Sequence, residues 1–284
     1  MEAARTPAGQ NFTLNNRKGL KMEIKETRDK AKIRDFLMKD PYLHIYELGD
    51  LQEKLFPSTQ WFVMEDKGEI VSSAMIYRAK NINILYMVDD THPETAAELL
   101  EGITGRLPEK MYCLLSQNLV GVIAAKYEYE KTVSYDKMKL MGDIFISRNI
   151  KYPEFTYRIN VNDSETVGEF LRSINPGAFY NRGMLGTGKY FCIRKNASLL
   201  AMAGVHLYSK EYSVAAIGNV VTAESERGKG YSSSVCASLC ADLWNDVKII
   251  GLNVRADNAP AIKVYNKLGF IRHTNHMELT AVKK

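Results

Sequence analysis

Two glycines set among cations dominate the chemistry this sequence can do. Arg227-Gly228-Lys229-Gly230-Tyr231-Ser232 follows an apolar run, AAIGNVVT at residues 215–222, and precedes an apolar-periodic stretch that ends near Trp244. A strand, a glycine turn and a helix leave unsatisfied backbone N–H groups at a positive helix end, which cradles a phosphate. Gly228 and Gly230 permit close backbone approach to an anion, while Arg227 and Lys229 add charge. Two groups could take a proton nearby. His206, in the strand-like LAMAGVHLYS, has the imidazole pKa of about 6.5 that suits a base. Glu224 stands at the entry to the glycine turn; each also has a plain structural reading, as an edge histidine and a solvated helix-entry acid.

Downstream, residues 252–270 (LNVRADNAPAIKVYNKLGF) read as a strand, a polar turn, a helix from Ala259 to Leu268 and a Gly-Phe stop. The two segments together resemble the GNAT acyl-CoA N-acyltransferase superfamily. Residues 227–232 fit that family's Arg/Gln-x-x-Gly-x-Gly/Ala loop, with Ser232 where Gly or Ala is usual. Asn258, Ala261, Tyr265, Gly269 and Phe270 fit its second motif. The Gly-Tyr-Ser-Ser variant is most similar to the subgroup containing glycine N-acyltransferases.

The resemblance implies roles by position. Backbone groups of Val220, Val221 and Thr222 would hold the pantetheine arm and thioester carbonyl of acetyl-CoA or another acyl-CoA. Arg227, Gly228, Lys229, Gly230, Tyr231, Ser232 and Ser233 would hold its pyrophosphate. Asn258 would touch the CoA arm, and Tyr265 would protonate the leaving thiolate. One position departs from the pattern: many relatives carry a Glu base where this chain has Asn253, and an amide cannot titrate. The base is therefore absent, a water relay, or another residue, with His206 and Glu224 the alternatives.

Several other patterns carry less. Gly183 to Lys189 has Walker A spacing, but Tyr190 replaces the magnesium-binding Ser or Thr and a strand follows in place of a helix, so it reads as a loop. No GxSxG is present, so Ser232 to Ser234 are not a hydrolase nucleophile. Cys236 and Cys240 share a helix face as small core residues. His273 and His276 lack further ligands at metal spacing, and no metal is expected.

The elements that position these residues form an α/β succession of two tandem GNAT-like domains, each a mixed, mostly antiparallel twisted sheet flanked by helices. Strands are expected at 22–26, 61–65, 70–77, 82–88, 111–115 and 133–141, with helices at 31–38, 43–55, 96–103 and 119–126. Trp61 and Tyr190 open similar blocks at an offset of 129, and Asn118 and Asn258 open another at 140, as loop changes in a duplicated domain would give. Residues 1–21 read as a disordered leader, 22–148 as a degenerate copy, and 149–284 as the catalytic domain. The boundary is expected near residues 148–154, before and around Pro153. In the first copy Asp90-Thr91-His92-Pro93-Glu94-Thr95 has acids and no glycine, so it should not hold a pyrophosphate.

The 284 residues suffice for two domains. With 45% apolar and 25% charged residues they can bury a real core. No run reaches the roughly 18 apolar residues of a membrane span. Four cysteines without a CxxC pair exclude a disulfide scaffold or zinc ribbon, and the cytoplasm is the default compartment. The net charge of +5 suits an anionic small ligand and is too mild to demand nucleic acid. The expected activity is acyl transfer, most simply acetyl, to an amine of a small molecule or peptide, with no nucleic-acid or membrane partner. Two alternatives remain at this stage: a non-catalytic CoA-sensing or partner-binding module, and an aminoacyl-tRNA-dependent transferase.

Overall fold

The computed structural model describes residues 12–15, 21–79, 82–142, 152–196 and 198–284. In chain order the first half runs β1 (Phe12–Asn15), β2 (Lys21–Thr27), α1 (Lys30–Leu37), α2 (Ile45–Asp50), β3 (Thr59–Asp66), β4 (Glu69–Ala79) and β5 (Ile82–Met87). It continues with α3 (Pro93–Ile103), β6 (Lys110–Leu115), α4 (Gln117–Ala124) and β7 (Tyr127–Leu140). The second half runs β8 (Thr156–Arg158), α5 (Ser164–Ile174), α6 (Arg182–Leu185), β9 (Phe191–Lys195), β10 (Ser198–Ser209) and β11 (Val214–Thr222). It ends with α7 (Tyr231–Trp244), β12 (Ile249–Arg255), α8 (Ala259–Leu268) and β13 (Phe270–Lys283). From β2 and from β8 onward the order of strands and helices is the same.

The fold is the expected mixed α/β, with mostly antiparallel sheets flanked by helices. Two compact units share it, and each takes in pieces of both halves. Unit 1 comprises Met1–Lys39, Glu53–Ser134 and Asn275–Lys284; unit 2 comprises Asp40–Gln52 and Tyr135–Thr274. A cut at 148/149 therefore does not separate them. The last strand is the reason: residues 277–282 of β13 pair antiparallel with β6, so the end of the chain completes the sheet of unit 1. In the same way, residues 135–139 of β7 pair with β12 in unit 2. Strand pairing, which satisfies backbone groups along a whole edge, overrides proximity in sequence.

In unit 1 the strand order is β1-β2-β3-β4-β5-β6-β13, antiparallel except for β5 beside β6. Its core gathers Phe62, Met64, Ile76, Leu85, Leu99 and Leu119. The expected leader is partly ordered, because Phe12–Asn15 pairs antiparallel with the start of β2; its residues 1–11 and 16–20 lie outside the described residues. Residues 148–151 of the expected boundary lie outside them too, while Pro153–Phe155 forms a single 3-10 turn.

In unit 2 the order is β7-β12-β11-β10-β9-β8, again antiparallel with one parallel pair, β11 beside β12. Helix α7 is buried along most of its circumference, at Val235, Cys236, Ala237, Leu239, Cys240 and Leu243, as befits a central helix. It packs into one cluster with Tyr190, Met202, Ile217, Leu252, Leu268 and Phe270. Each such fully buried aliphatic side chain contributes about 1.5–3 kcal/mol of transfer free energy, which anchors the start of α7 against β10 and β11. Helix α2, from the first half, seats on this sheet: a Cβ on Gly251 of β12 would fall 2.4 Å from Ile45 Cδ1.

Candidate functional site

The parallel pair β11 and β12 is the centre of the site. Their register runs from Val214 opposite Ile249 to Ile217 opposite Leu252 and stops there. Beyond that point β11 pairs with β10, at Val221 with Met202 and Thr222 with Ala201, while Asn253, Val254 and Arg255 pair with β7. The two strands part, and residues 218–222 face the opening with backbone groups that no strand takes up in the described register. Val220, Val221 and Thr222, singled out from sequence, line this cleft and are half-buried.

Past the cleft the chain makes a 3-10 turn at Glu224–Glu226, then the glycine loop, then α7. Gly228 (φ +81°) and Gly230 (φ +87°) both sit in the left-handed region, which explains glycine at those two places. No side chain caps α7, whose N-cap is Gly230 itself. The first-turn N–H groups of Tyr231, Ser232 and Ser233 have no intrahelical acceptor by the geometry of a helix start. A Cβ on either glycine would meet nothing within 4 Å, so the space before these N–H groups is open. Tyr152 props the loop from one side: its hydroxyl donates to the Lys229 carbonyl at 2.9 Å and its ring meets Tyr231 edge-on at 5.0 Å.

The cations of the loop lie over local acids. Lys229 Nζ donates to Glu226 Oε2 at 2.9 Å, a contact that raises the lysine pKa, and Arg227 is 3.7 Å from Glu224. Both pairs are exposed and worth little, so an incoming phosphate competes with them at small cost. The Glu224 side chain is 89% exposed and points to solvent as part of the Arg227 pair.

On α8, Asn258 is the N-cap, its Oδ1 accepting from the Ala261 N–H at 3.2 Å. Its amide nitrogen is the part that remains to meet a ligand. Tyr265 is buried, its ring edge-on to Phe270 at 5.9 Å, and burial pushes its hydroxyl pKa well up. It therefore keeps its proton throughout the neutral range. Cys236 and Cys240 are fully buried free thiols, with burial pushing Cys236 up to about 12.

His206 occupies a bulge in β10, between the pairs Val205–Ile217 and Leu207–Ala216. It is exposed, and its ring lies over Gly218 so closely that a Cβ there would be 2.3 Å from the imidazole. Its Nε2 is 3.4 Å from Asn219 Oδ1. The structure thus sets the His206 ring over Gly218, the first residue past the β11–β12 register, and turns the Glu224 side chain to solvent. Asn253 is paired across strands with Lys137, which puts both side chains on one sheet face.

Three features escaped the sequence reading. Asn219 sits in a bulge of β11 at φ +53°, and the only linear signal is Asn directly after Gly in an apolar strand. Tyr190 is fully buried beneath it. Helix α2 brings three buried ionisable groups into unit 2: His44 Nδ1 lies 3.2 Å from Glu47, and burial together with Glu47's charge raises Asp50 to about 8. The Walker-like loop holds no phosphate site: Lys189 is buried and spent on Asp242 and Asp246, each at 2.5 Å. Among the described residues no three His, Cys, Asp or Glu side chains are arranged to hold a metal, and no helix is long and apolar enough to cross a membrane.

Comparison with known proteins agrees with this geometry. Residues 157–270 match the acetyltransferase (GNAT) family. No curated protein sequence matches the chain. Among solved structures, a Drosophila protein superposes with a TM-score of 0.68 at 11% identity, covering 91% of this chain and 98% of its own. A GCN5-related N-acetyltransferase from Sphaerobacter thermophilus gives 0.57 at 11%, covering 92% and 95%. A tandem GNAT protein from the clavulanic acid biosynthesis pathway gives 0.52 at 12%, covering 92% and 98%. At such identities the likeness is one of fold.

Proposed function

We propose that the protein is an acetyl-CoA-dependent N-acetyltransferase acting on an amine of a small molecule or peptide. One observation carries the reading: β11 and β12 part directly in front of a helix that begins on glycine with open N–H groups. An extended thioester arm can lie in the cleft as an added strand, with its pyrophosphate on residues 228–233. The GNAT match over residues 157–270 supports the same donor.

The chemistry then needs two proton movements. The acceptor's amine nitrogen bonds to the thioester carbonyl carbon as the carbon–sulfur bond breaks. His206, exposed at the cleft, takes the proton the amine loses. Tyr265, protonated at neutral pH, supplies one to the departing sulfur, so that the products are an amide and a thiol. Asn258 steadies the CoA arm through its amide nitrogen. The recurrence of one element order in both halves supports the first half as a degenerate copy of the same domain. Free buried thiols suit a reducing compartment such as the cytoplasm.

The test is to follow thiol release and product mass when the full chain meets acetyl-CoA and a panel of amines. Amine-dependent release with an acetylated product is expected. Tight CoA binding without turnover on any amine would replace this reading with a CoA-sensing module, which Asn253 in place of a carboxylate favours. Turnover that requires charged tRNA and ignores CoA would replace it with aminoacyl transfer.

A further inference from the structure

A buried hydrogen-bond chain behind His206 determines which of its nitrogens can act as a base. The chain starts at a carbonyl. Tyr190 Oη lies 2.9 Å from the Val205 backbone oxygen, which can only accept, so the single phenolic proton is donated there. Asn219 Nδ2 lies 3.0 Å from the same Oη. With its proton spent on Val205, the hydroxyl can only accept from Asn219. The amide must therefore turn its NH2 toward Tyr190 and its oxygen toward His206. That oxygen, Oδ1, lies 3.4 Å from His206 Nε2 and can be satisfied only by an N–H. Neutral His206 is then protonated on Nε2, and Nδ1 carries the lone pair.

The surrounding backbone holds every link in place. Asn219 is 9% exposed and adopts φ +53° in the β11 bulge, a conformation Asn tolerates better than most residues. Tyr190 lies against Gly204, where a Cβ would be 2.1 Å from its ring, and His206 lies against Gly218. Two bulges, one at His206 in β10 and one at residues 219–220 in β11, bring the imidazole and the amide face to face.

From this chain we propose that Asn219, fixed by Tyr190, is a positioning residue that holds His206 in its Nε2–H form, so that Nδ1 receives the proton of the attacking amine. The second half of that statement rests on the acetyltransferase reading above; the first half does not.

The experiment uses long-range 15N–1H spectroscopy of the full chain labelled at histidine, above the pH where His206 is neutral. In the wild type Nε2 should show as the protonated nitrogen. Tyr190→Phe keeps the ring against Gly204 but removes the acceptor that orients the amide, and the two tautomers should become mixed. Asn219→Asp places a carboxylate oxygen opposite Nε2 and should keep the Nε2–H form. Asn219→Gly, which tolerates the positive φ, removes the oxygen opposite Nε2 and should also mix the tautomers. Circular dichroism checks that each variant is folded, and Asn219→Gly covers the case in which Tyr190→Phe fails to fold. Given a competent acceptor, Tyr190→Phe should lower kcat by about tenfold with little change in KM for acetyl-CoA. Wild-type His206 protonated on Nδ1, or a tautomer unchanged in Tyr190→Phe or in Asn219→Gly, overturns the positioning chain. The expected tautomers with an unchanged kcat overturn its catalytic use. If no amine is acetylated by the wild type, the acetyltransferase reading fails, and the tautomer measurement still decides the chain.

Discussion

The same step of the fold, from a strand through a turn into a helix, is built twice and ends in opposite chemistry. In unit 1 the parallel strands β5 and β6 stay paired to their ends, Met87 opposite Leu115, and the Ser116 N–H closes onto the Met87 carbonyl at 3.1 Å. No cleft opens. The turn that follows already contains an anion: Asp89 Oδ1 accepts the N–H groups of Thr91 and His92, each at 3.0 Å, and Oδ2 accepts from Ser72. Pro93 then starts α3 with one N–H fewer. In unit 2 the strands separate after Ile217 and Leu252, and glycines put no side chain before the first turn of α7. A carboxylate of the protein stands in the first turn where the second has open space. On the proposed reading of the first half as a degenerate copy, an internal anion and a closed strand pair are enough to remove a binding site without unfolding.

The largest expected effect comes from making the second turn resemble the first. Gly230→Glu introduces a carboxylate before the N–H groups of α7, where space is open. CoA affinity measured by calorimetry should fall on the order of 100-fold or more, since a charge-assisted site becomes repulsive. The left-handed φ adds a strain of only about 1–2 kcal/mol, so circular dichroism should remain native. Unchanged affinity would refute the cradle.

Next in size is the proposed proton donor of unit 2. Tyr265→Phe preserves the packing against Phe270 and should lower kcat on the order of 10- to 1000-fold at nearly constant CoA affinity. Full turnover by this variant would return Tyr265 to a packing role.

Asp89→Ala tests the comparison from the other side. Removing the internal anion leaves two N–H groups of the α3 turn unsatisfied and should cost about 1–2 kcal/mol in denaturant unfolding. CoA should still bind at one per chain, because β5 and β6 remain closed. A second bound equivalent in this variant alone would show that the acid had been the barrier, and a second equivalent in the wild type would show that the first half is not degenerate.

The smallest change is expected for Asn253→Ala. An amide can orient water but cannot carry a proton, so steady-state rates should shift by less than about tenfold. A loss as large as that of Tyr265→Phe would make Asn253 a direct participant in catalysis.

Much of the fold and part of the site were legible in the linear order of residues. The strands at Trp61 and Ile70, the helix at 259–268 and the Asn258 cap arise from interactions within a few residues, so periodicity and capping types reveal them. Gly228 and Gly230 announced their positive φ for the same reason. The exchange of the last strand was not legible, since β13 finds β6 across more than 160 positions, as with Leu279 opposite Cys113. Nor was the anion in the first turn: Asp89 stands one residue before the acidic stretch at 90–95, and its carboxylate is held by Ser72 from a neighbouring strand.

The sequence by itself determined that glycines at positive φ precede one helix and that its counterpart has acids and no glycine, because backbone conformation and helix-end electrostatics act locally. It also placed Tyr265 about two turns beyond its helix cap, Asn258. Only the tertiary structure set the His206 ring over Gly218 and turned Glu224 to solvent, which is what favours His206 as the proposed base. It alone joined Val205, Tyr190, Asn219 and His206 into a line of hydrogen bonds. Such a line depends on strand register and on two bulges of one residue each. Register is settled by packing the whole sheet, so no short window of sequence contains it.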